Sequence, residues 1–118
     1  MTVLVWVGVA LLGGVGALMR FALDGFVAER AGSEFPFGTF AVNISGAFLL
    51  GIVGGAALRG DALLLVGTAT LGSYTTFSTW MFETHRLGED GSFALGVLNV
   101  VLSLAVGVAA SALGRAIA

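Results

Sequence analysis

Four stretches without a single charged residue, Met1–Met19, Phe35–Leu58, Ala62–Phe82 and Gly91–Gly114, take up most of the chain. Each is about the length a helix needs to cross roughly 30 Å of hydrocarbon. Inside a bilayer no water is at hand to satisfy backbone N–H and C=O groups, so a helix is the natural spanning structure. The composition agrees: 58% of the 118 residues are hydrophobic and 10% are charged, too few to cover the surface of a soluble domain. The pattern predicts an all-α membrane protein, a single unit over residues 1–118 with four transmembrane helices.

The first run differs from a secretory leader. It has no basic residue ahead of its apolar stretch, and "GGVGALMR" (13–20) is not a small-residue cleavage site, so a retained span is expected. The absence of cysteine excludes disulfides and thiolate metal sites. A net charge of −2, from five arginines and no lysine, leaves no nucleic-acid footprint. His85, the sole histidine, stands beside Arg86 and reads as a solvated interfacial residue; no nucleophile–base pair is evident, so the chain is not expected to be an enzyme.

Short links set the topology. "RGD" (59–61) makes spans two and three antiparallel neighbours, and "THRLGEDGS" (84–92) joins three to four. The longest link, "DGFVAERAGSEFPFG" (24–38), ends at the only proline, Pro36, which suits the first turn of the second helix. Four spans place Arg59 and Arg115 on one side and Arg30 and Arg86 on the other, with Arg20 deeper and Asp24, one turn on, as its partner. Orientation normally follows an excess of basic residues on the cytoplasmic side. A near balance fits a weak bias supplemented by other signals, and fits equally insertion in both orientations.

Small residues recur at helical spacing. Gly46, Ala47, Gly51 and Gly54 share a face of span two with Asn43; Gly107 and Ser111 share one of span four with Asn99 and Ser103. Such faces let membrane helices approach closely. The two amides ask for more, since a polar group at membrane depth must find partners inside the protein.

The third span carries the anomaly. "GTATLGSYTTFSTWMFE" (67–83) has eight hydroxyl side chains in the twelve positions from Thr68 to Thr79, where a spanning helix should be most apolar. Hydroxyls bonded to the preceding turn account for one or two of them. Gly67, Gly72 and the β-branched threonines weaken the helix, and hydroxyls can satisfy the backbone groups of a break. The third helix is therefore predicted to break near the bilayer centre. Irregular backbone survives there when it lines a wet cavity or is buried in protein, and its carbonyls can bind a cation. Just beyond, Phe77 and Trp80 lie three apart among Thr76, Ser78 and Thr79. Aromatic rings have a positive edge, so an anion could pass along ring edges and hydroxyl donors without meeting a full charge.

The segments "GGVGALMR" (13–20), "FPFGTFAVNISGAFLLG" (35–51), "GSYTTFSTWMFE" (72–83) and "LNVVLS" (98–103) follow the order and spacing of the Fluc (CrcB) fluoride channel family, which the chain resembles over nearly its whole length. The resemblance implies a four-helix subunit of an antiparallel dual-topology dimer in the bacterial cytoplasmic membrane. Such a dimer exports fluoride passively through two pores at the subunit interface and so relieves fluoride toxicity. It also implies a structural sodium ion at the dimer centre, held by the backbone carbonyls of Gly72 and Thr75. By the same resemblance Phe77 and Trp80 are the pore aromatics, Ser78 and Thr79 belong to the polar track, and Asn43 is the pore amide. Arg20 is the vestibule arginine, Glu83 the acidic residue after the motif, and Asn99 and Ser103 line the fourth-helix side. Trp80 departs from the family's usual phenylalanine, and "LGSY" from its glycine-rich lead-in. Both departures suit a subunit that pairs with a paralogue, so homodimer and heterodimer stay open.

One function of another class fits four spans and dual topology: a small drug/proton antiporter. It needs a protonatable carboxylate deep in the membrane. The first run has none, and Glu83 stands at the edge of its span.

Overall fold

The computed structural model describes residues 2–32 and 34–118, and all regular structure among them is helical. Helix α1 is Val3–Ala31 and α2 is Phe37–Gly55; the third segment comprises α3 (Gly60–Ala62), a π-helix (Leu63–Leu71), α4 (Gly72–Tyr74) and α5 (Ser78–Glu89); α6 is Phe93–Ile117. Helices α1, α2 and α6 are each long and apolar enough to cross a membrane. The third segment divides its length among shorter pieces.

The apolar residues mostly face outward. Only 6% of the most hydrophobic window of α1 is buried, and Phe21, Leu18 and Val108 are largely exposed. The core is small, with Val42, Val53, Leu71 and Tyr74 at its centre and Leu23 and Leu58 against it. An exterior this apolar is stable in lipid, where helices associate through close packing rather than through expulsion of water.

Glycine sets that packing. A Cβ at Gly51 would run into the Ser111 carbonyl, and one at Gly114 into the Phe48 carbonyl, so α2 and α6 touch backbone to backbone. Gly16 plays the same part where α1 lies on the π-helix, against the Thr70 carbonyl and Ser73.

Helix ends fall elsewhere than the charges suggest. Most of the stretch 24–38 is helical, because α1 continues to Ala31, and α5 continues to Glu89, through most of 84–92. Charged residues mark where the apolar span stops; Arg and Glu are themselves good helix formers outside it. Pro36 is the residue just before α2, not within its first turn. Helix α5 ends in a Schellman turn at Gly91 (φ 83°), with Ser92 N donating to the Leu87 carbonyl at 2.8 Å. Helix α2 ends the same way, with Leu58 N on the Val53 carbonyl at 3.4 Å, but the left-handed position is Ala57 (φ 56°).

Candidate functional site

The third segment unwinds in two steps. Across Leu63–Leu71 the ladder is the wider i→i+5 type, and the Thr70 hydroxyl donates five residues back to the Leu65 carbonyl at 2.7 Å. After Tyr74 the chain leaves the helix: Thr75 is extended (φ −78°, ψ 160°), and helix resumes at Ser78.

Asn43 of α2 closes this interruption from the side. Its Nδ2 donates to the Thr76 carbonyl and its Oδ1 accepts the Thr76 N–H, both at 2.8 Å. The amide thus serves both backbone groups of one residue, as a neighbouring strand would. Thr79 N donates to the Thr76 hydroxyl at 3.2 Å. These two bonds have a consequence for the carbonyls four residues earlier. In a continuous helix Gly72 O would accept from Thr76 N and Thr75 O from Thr79 N; both amides go to side-chain oxygens instead. Gly72 is exposed on the flank of the molecule.

Hydroxyls around the break are mostly engaged locally. Ser73 Oγ donates to the Ala69 carbonyl at 2.7 Å and Thr75 Oγ1 to the Leu71 carbonyl at 3.1 Å. Tyr74, buried, shares its hydroxyl with Ser45 at 2.7 Å. Ser45 follows Asn43 by two residues, and only the fold shows that it reaches the break.

Beside the break runs an open groove of about 390 Å³, bordered by Asn43, Thr75, Thr76, Phe77, Trp80 and Ser103 among others. It brings together four of the six residues expected along a pore. Phe77 is 69% exposed and meets Trp80 edge to face, with ring centroids 5.7 Å apart at 85°. Ser78 and Thr79 do not border the groove; Ser78 is exposed, 3.5 Å from the Thr76 hydroxyl. Asn99 lies behind it, 1% exposed. Its Nδ2 donates to Thr84 Oγ1 at 2.9 Å, which donates to the Trp80 carbonyl at 2.8 Å; Ser103 Oγ donates to Asn99 Oδ1 at 3.5 Å. Thr84 was not singled out from the sequence, although its place four residues after Trp80 puts it one helical turn on.

A second, polar cavity of about 680 Å³ is bordered by Asp24, Glu34, Glu83, Arg86 and Asp90. Glu83 Oε1 and Thr39 Oγ1 are buried without a hydrogen-bond partner among the described residues. Glu83 sits within α5, a full turn and a half before its end. The expected Arg20–Asp24 pair does not form; among the described residues the one contact of a basic with an acidic side chain at this range is His85 Nε2 to Glu89 Oε1, 2.7 Å apart and exposed. Asp24 instead lies against Gly38, where a Cβ would strike its carboxylate.

The chain is similar to known proteins over most of its length. The family described as CrcB-like protein, Camphor Resistance (CrcB), matches residues 7–115. A protein of Mycolicibacterium paratuberculosis named fluoride-specific ion channel FluC 2 is 56% identical over 117 residues, covering 99% of this chain and 96% of the relative. The protein of the same name from Mycobacterium bovis is 52% identical over 118 residues, covering 100% and 94%. The fluoride-specific ion channel FluC of Sorangium cellulosum is 39% identical, covering 96% and 93%. With the family match running from within α1 to within α6, the chain belongs to the CrcB-like family.

Proposed function

We propose that the chain is a subunit of a fluoride-selective channel that lets fluoride leave the cell passively, as a multi-pass protein of the bacterial cytoplasmic membrane. The groove beside the break carries this reading. It sets ring edges, an amide and hydroxyls into a mostly apolar wall that includes Ile44, Leu50, Leu104 and Val108, and no lysine or arginine that would trap an anion borders it. Fluoride is small and strongly hydrated, so a pathway must replace its water with donors at close range, and pore width and lining groups then set selectivity. The names of the relatives point to the same ion. They lend no support to an antiporter.

The groove is open on one side, so a complete pathway needs a second wall. A second subunit, identical or paralogous, in antiparallel orientation would supply it, with the third segment (60–89) as the fourth span, broken near the bilayer centre. The same dimer would cover Gly72. The carbonyls of Gly72 and Thr75, deprived of their helical amides, are hard neutral oxygens that fit a sodium ion better than water-free lipid. When bound, the ion would neutralise carbonyl dipoles from both subunits. The residues of the chain itself hold the break open: Asn43 occupies the amide and carbonyl of Thr76, and Phe77 is left to face the groove.

Fluoride efflux from liposomes containing the purified chain tests this. Wild-type protein, alone or with a paralogous subunit, is expected to release fluoride and retain chloride. Phe77→Ile keeps an apolar side chain but loses the ring edge, and should abolish efflux while the dimer still forms. Undiminished efflux in Phe77→Ile would mean that the pathway lies elsewhere.

A further inference from the structure

The position of Trp80 holds a contact that phenylalanine could not make. The indole Nε1 donates to the Asn99 backbone carbonyl on α6 at 3.4 Å. A helical carbonyl has two lone pairs, so it can accept the indole while keeping its place in the α6 ladder. The other end of the same residue is held as well, because the Trp80 carbonyl receives the Thr84 hydroxyl, which accepts from Asn99 Nδ2. Asn99 therefore reaches Trp80 twice, once through its backbone and once through its side chain. Ser103 Oγ stands 3.5 Å from Asn99 Oδ1 on the groove side. Gly96 eases this approach: a Cβ there would lie 3.3 Å from the Thr84 carbonyl, tight enough to ask for a small shift.

The physical need for such a hold is specific. The χ2 torsion of an aromatic side chain is broad, so its rotamer alone does not fix the plane of the ring. Trp80 borders the groove and meets Phe77 edge to face. The plane of the indole decides both how wide the groove is at that point and which edge faces an ion. Building on the channel reading above, we infer that Asn99 is a positioning residue that pins the Trp80 indole across α5 and α6, and that this pin makes Trp80 a determinant of selectivity between fluoride and larger anions. With the N–H occupied, Trp80 offers the pathway ring edges and width, not a hydrogen-bond donor.

The pin can be read without transport. In a Trp6→Phe background Trp80 is the only tryptophan, and the indole N–H marker band in ultraviolet resonance Raman spectra of the reconstituted protein should report a hydrogen-bonded indole. A free indole would overturn the inference. The functional half is read by replacing Trp80 with 3-benzothienylalanine, which keeps the bicyclic shape and has sulfur where the N–H was. The ratio of chloride to fluoride efflux should rise by roughly tenfold or more, the scale on which small changes of fit alter discrimination. Trp80→Phe should loosen selectivity in the same direction. Thr84→Val, outside the groove, removes only the hydroxyl relay and should raise chloride efflux by a smaller factor. Wild-type selectivity in the benzothienyl variant would overturn the inference and leave the channel reading intact. A wild-type chain that releases no fluoride, even with a paralogous subunit, would overturn the channel reading and the selectivity role with it, whatever the Raman band shows.

Discussion

Asn43 and Asn99 are both single amides among small residues on apolar helices, yet they do opposite work. Asn43 on α2 substitutes for missing secondary structure, bonding to the N–H and C=O of Thr76 where the third segment leaves the helix. Asn99 on α6 faces a segment that is already helical: its amide donates to the Thr84 hydroxyl, and its backbone carbonyl accepts the Trp80 indole N–H. The difference follows from what stands opposite. A broken helix exposes backbone groups that must be satisfied at membrane depth; an intact one does not, and an amide facing it is free to orient side chains. The same contrast separates the two regions as wholes. The α2–α6 seam is regular and glycine-lined, whereas the stretch from Leu63 to Ser78 is π-helical, then extended, and rich in hydroxyls.

The largest expected effect tests the broken region. Asn43→Leu leaves the N–H and carbonyl of Thr76 both unpaired, and each buried orphan costs about 1–3 kcal/mol. The variant should lose several kcal/mol of stability, giving aggregated protein on size-exclusion chromatography and no fluoride efflux. Asn43→Asp keeps an acceptor for the Thr76 N–H, but sets a carboxylate against the Thr76 carbonyl and a fixed charge in the proposed anion path. It should fold better than Asn43→Leu and still fail to conduct. Equal stability of both variants and wild type would erase the distinction between the two amides.

The regular seam should respond next. Gly51→Ala puts a methyl against the Ser111 carbonyl, a backbone atom that no rotamer change can move aside. Overpacking of this kind typically costs about 1–3 kcal/mol, read as a lower thermal midpoint in detergent. Gly51 packs on Ser111 and not on the residues of the break, although Ser111 borders the groove; any fluoride efflux by the folded fraction should stay selective. Loss of selectivity with unchanged stability would mean that the seam and the site are coupled.

Two smaller changes sharpen the contrast between strain and function. Ala57→Gly relieves a left-handed residue at the α2 Schellman turn, and should stabilise the protein by about 1 kcal/mol with no change in transport. Thr75→Val removes the hydroxyl bond to the Leu71 carbonyl while preserving shape and the Thr75 carbonyl. Its effect should be the smallest, about 1 kcal/mol or less, and assembly should be unchanged if the carbonyl, not the hydroxyl, is the group that matters.

Much was legible in the residues. Charge-free runs of spanning length announce apolar helices, because that signal depends on near neighbours in the chain, and three helices long and apolar enough to cross a membrane fall in them. Charge was a poor guide to helix ends: it marks the edge of the apolar span, and α1 and α5 run past that edge. Pairing by proximity in sequence also misled. Arg20 and Asp24 are one turn apart, yet Asp24 turns to Gly38 of α2.

The sequence by itself determined that the chain is apolar and helical, and which family it resembles. Those properties reside in composition, local propensity and a linear motif. Tertiary structure alone decided which oxygens the break sets free. Gly72 and Thr75 lose their amide partners because Asn43, 33 residues from Thr76, and the Thr76 hydroxyl take those amides. It also decided that Asn99 stands behind the groove while Ser103 borders it, although both lie on one face of α6. Helical periodicity fixes which residues share a face; what that face meets depends on how closely another helix can approach, and in this protein glycines at Gly51 and Gly114 set that distance.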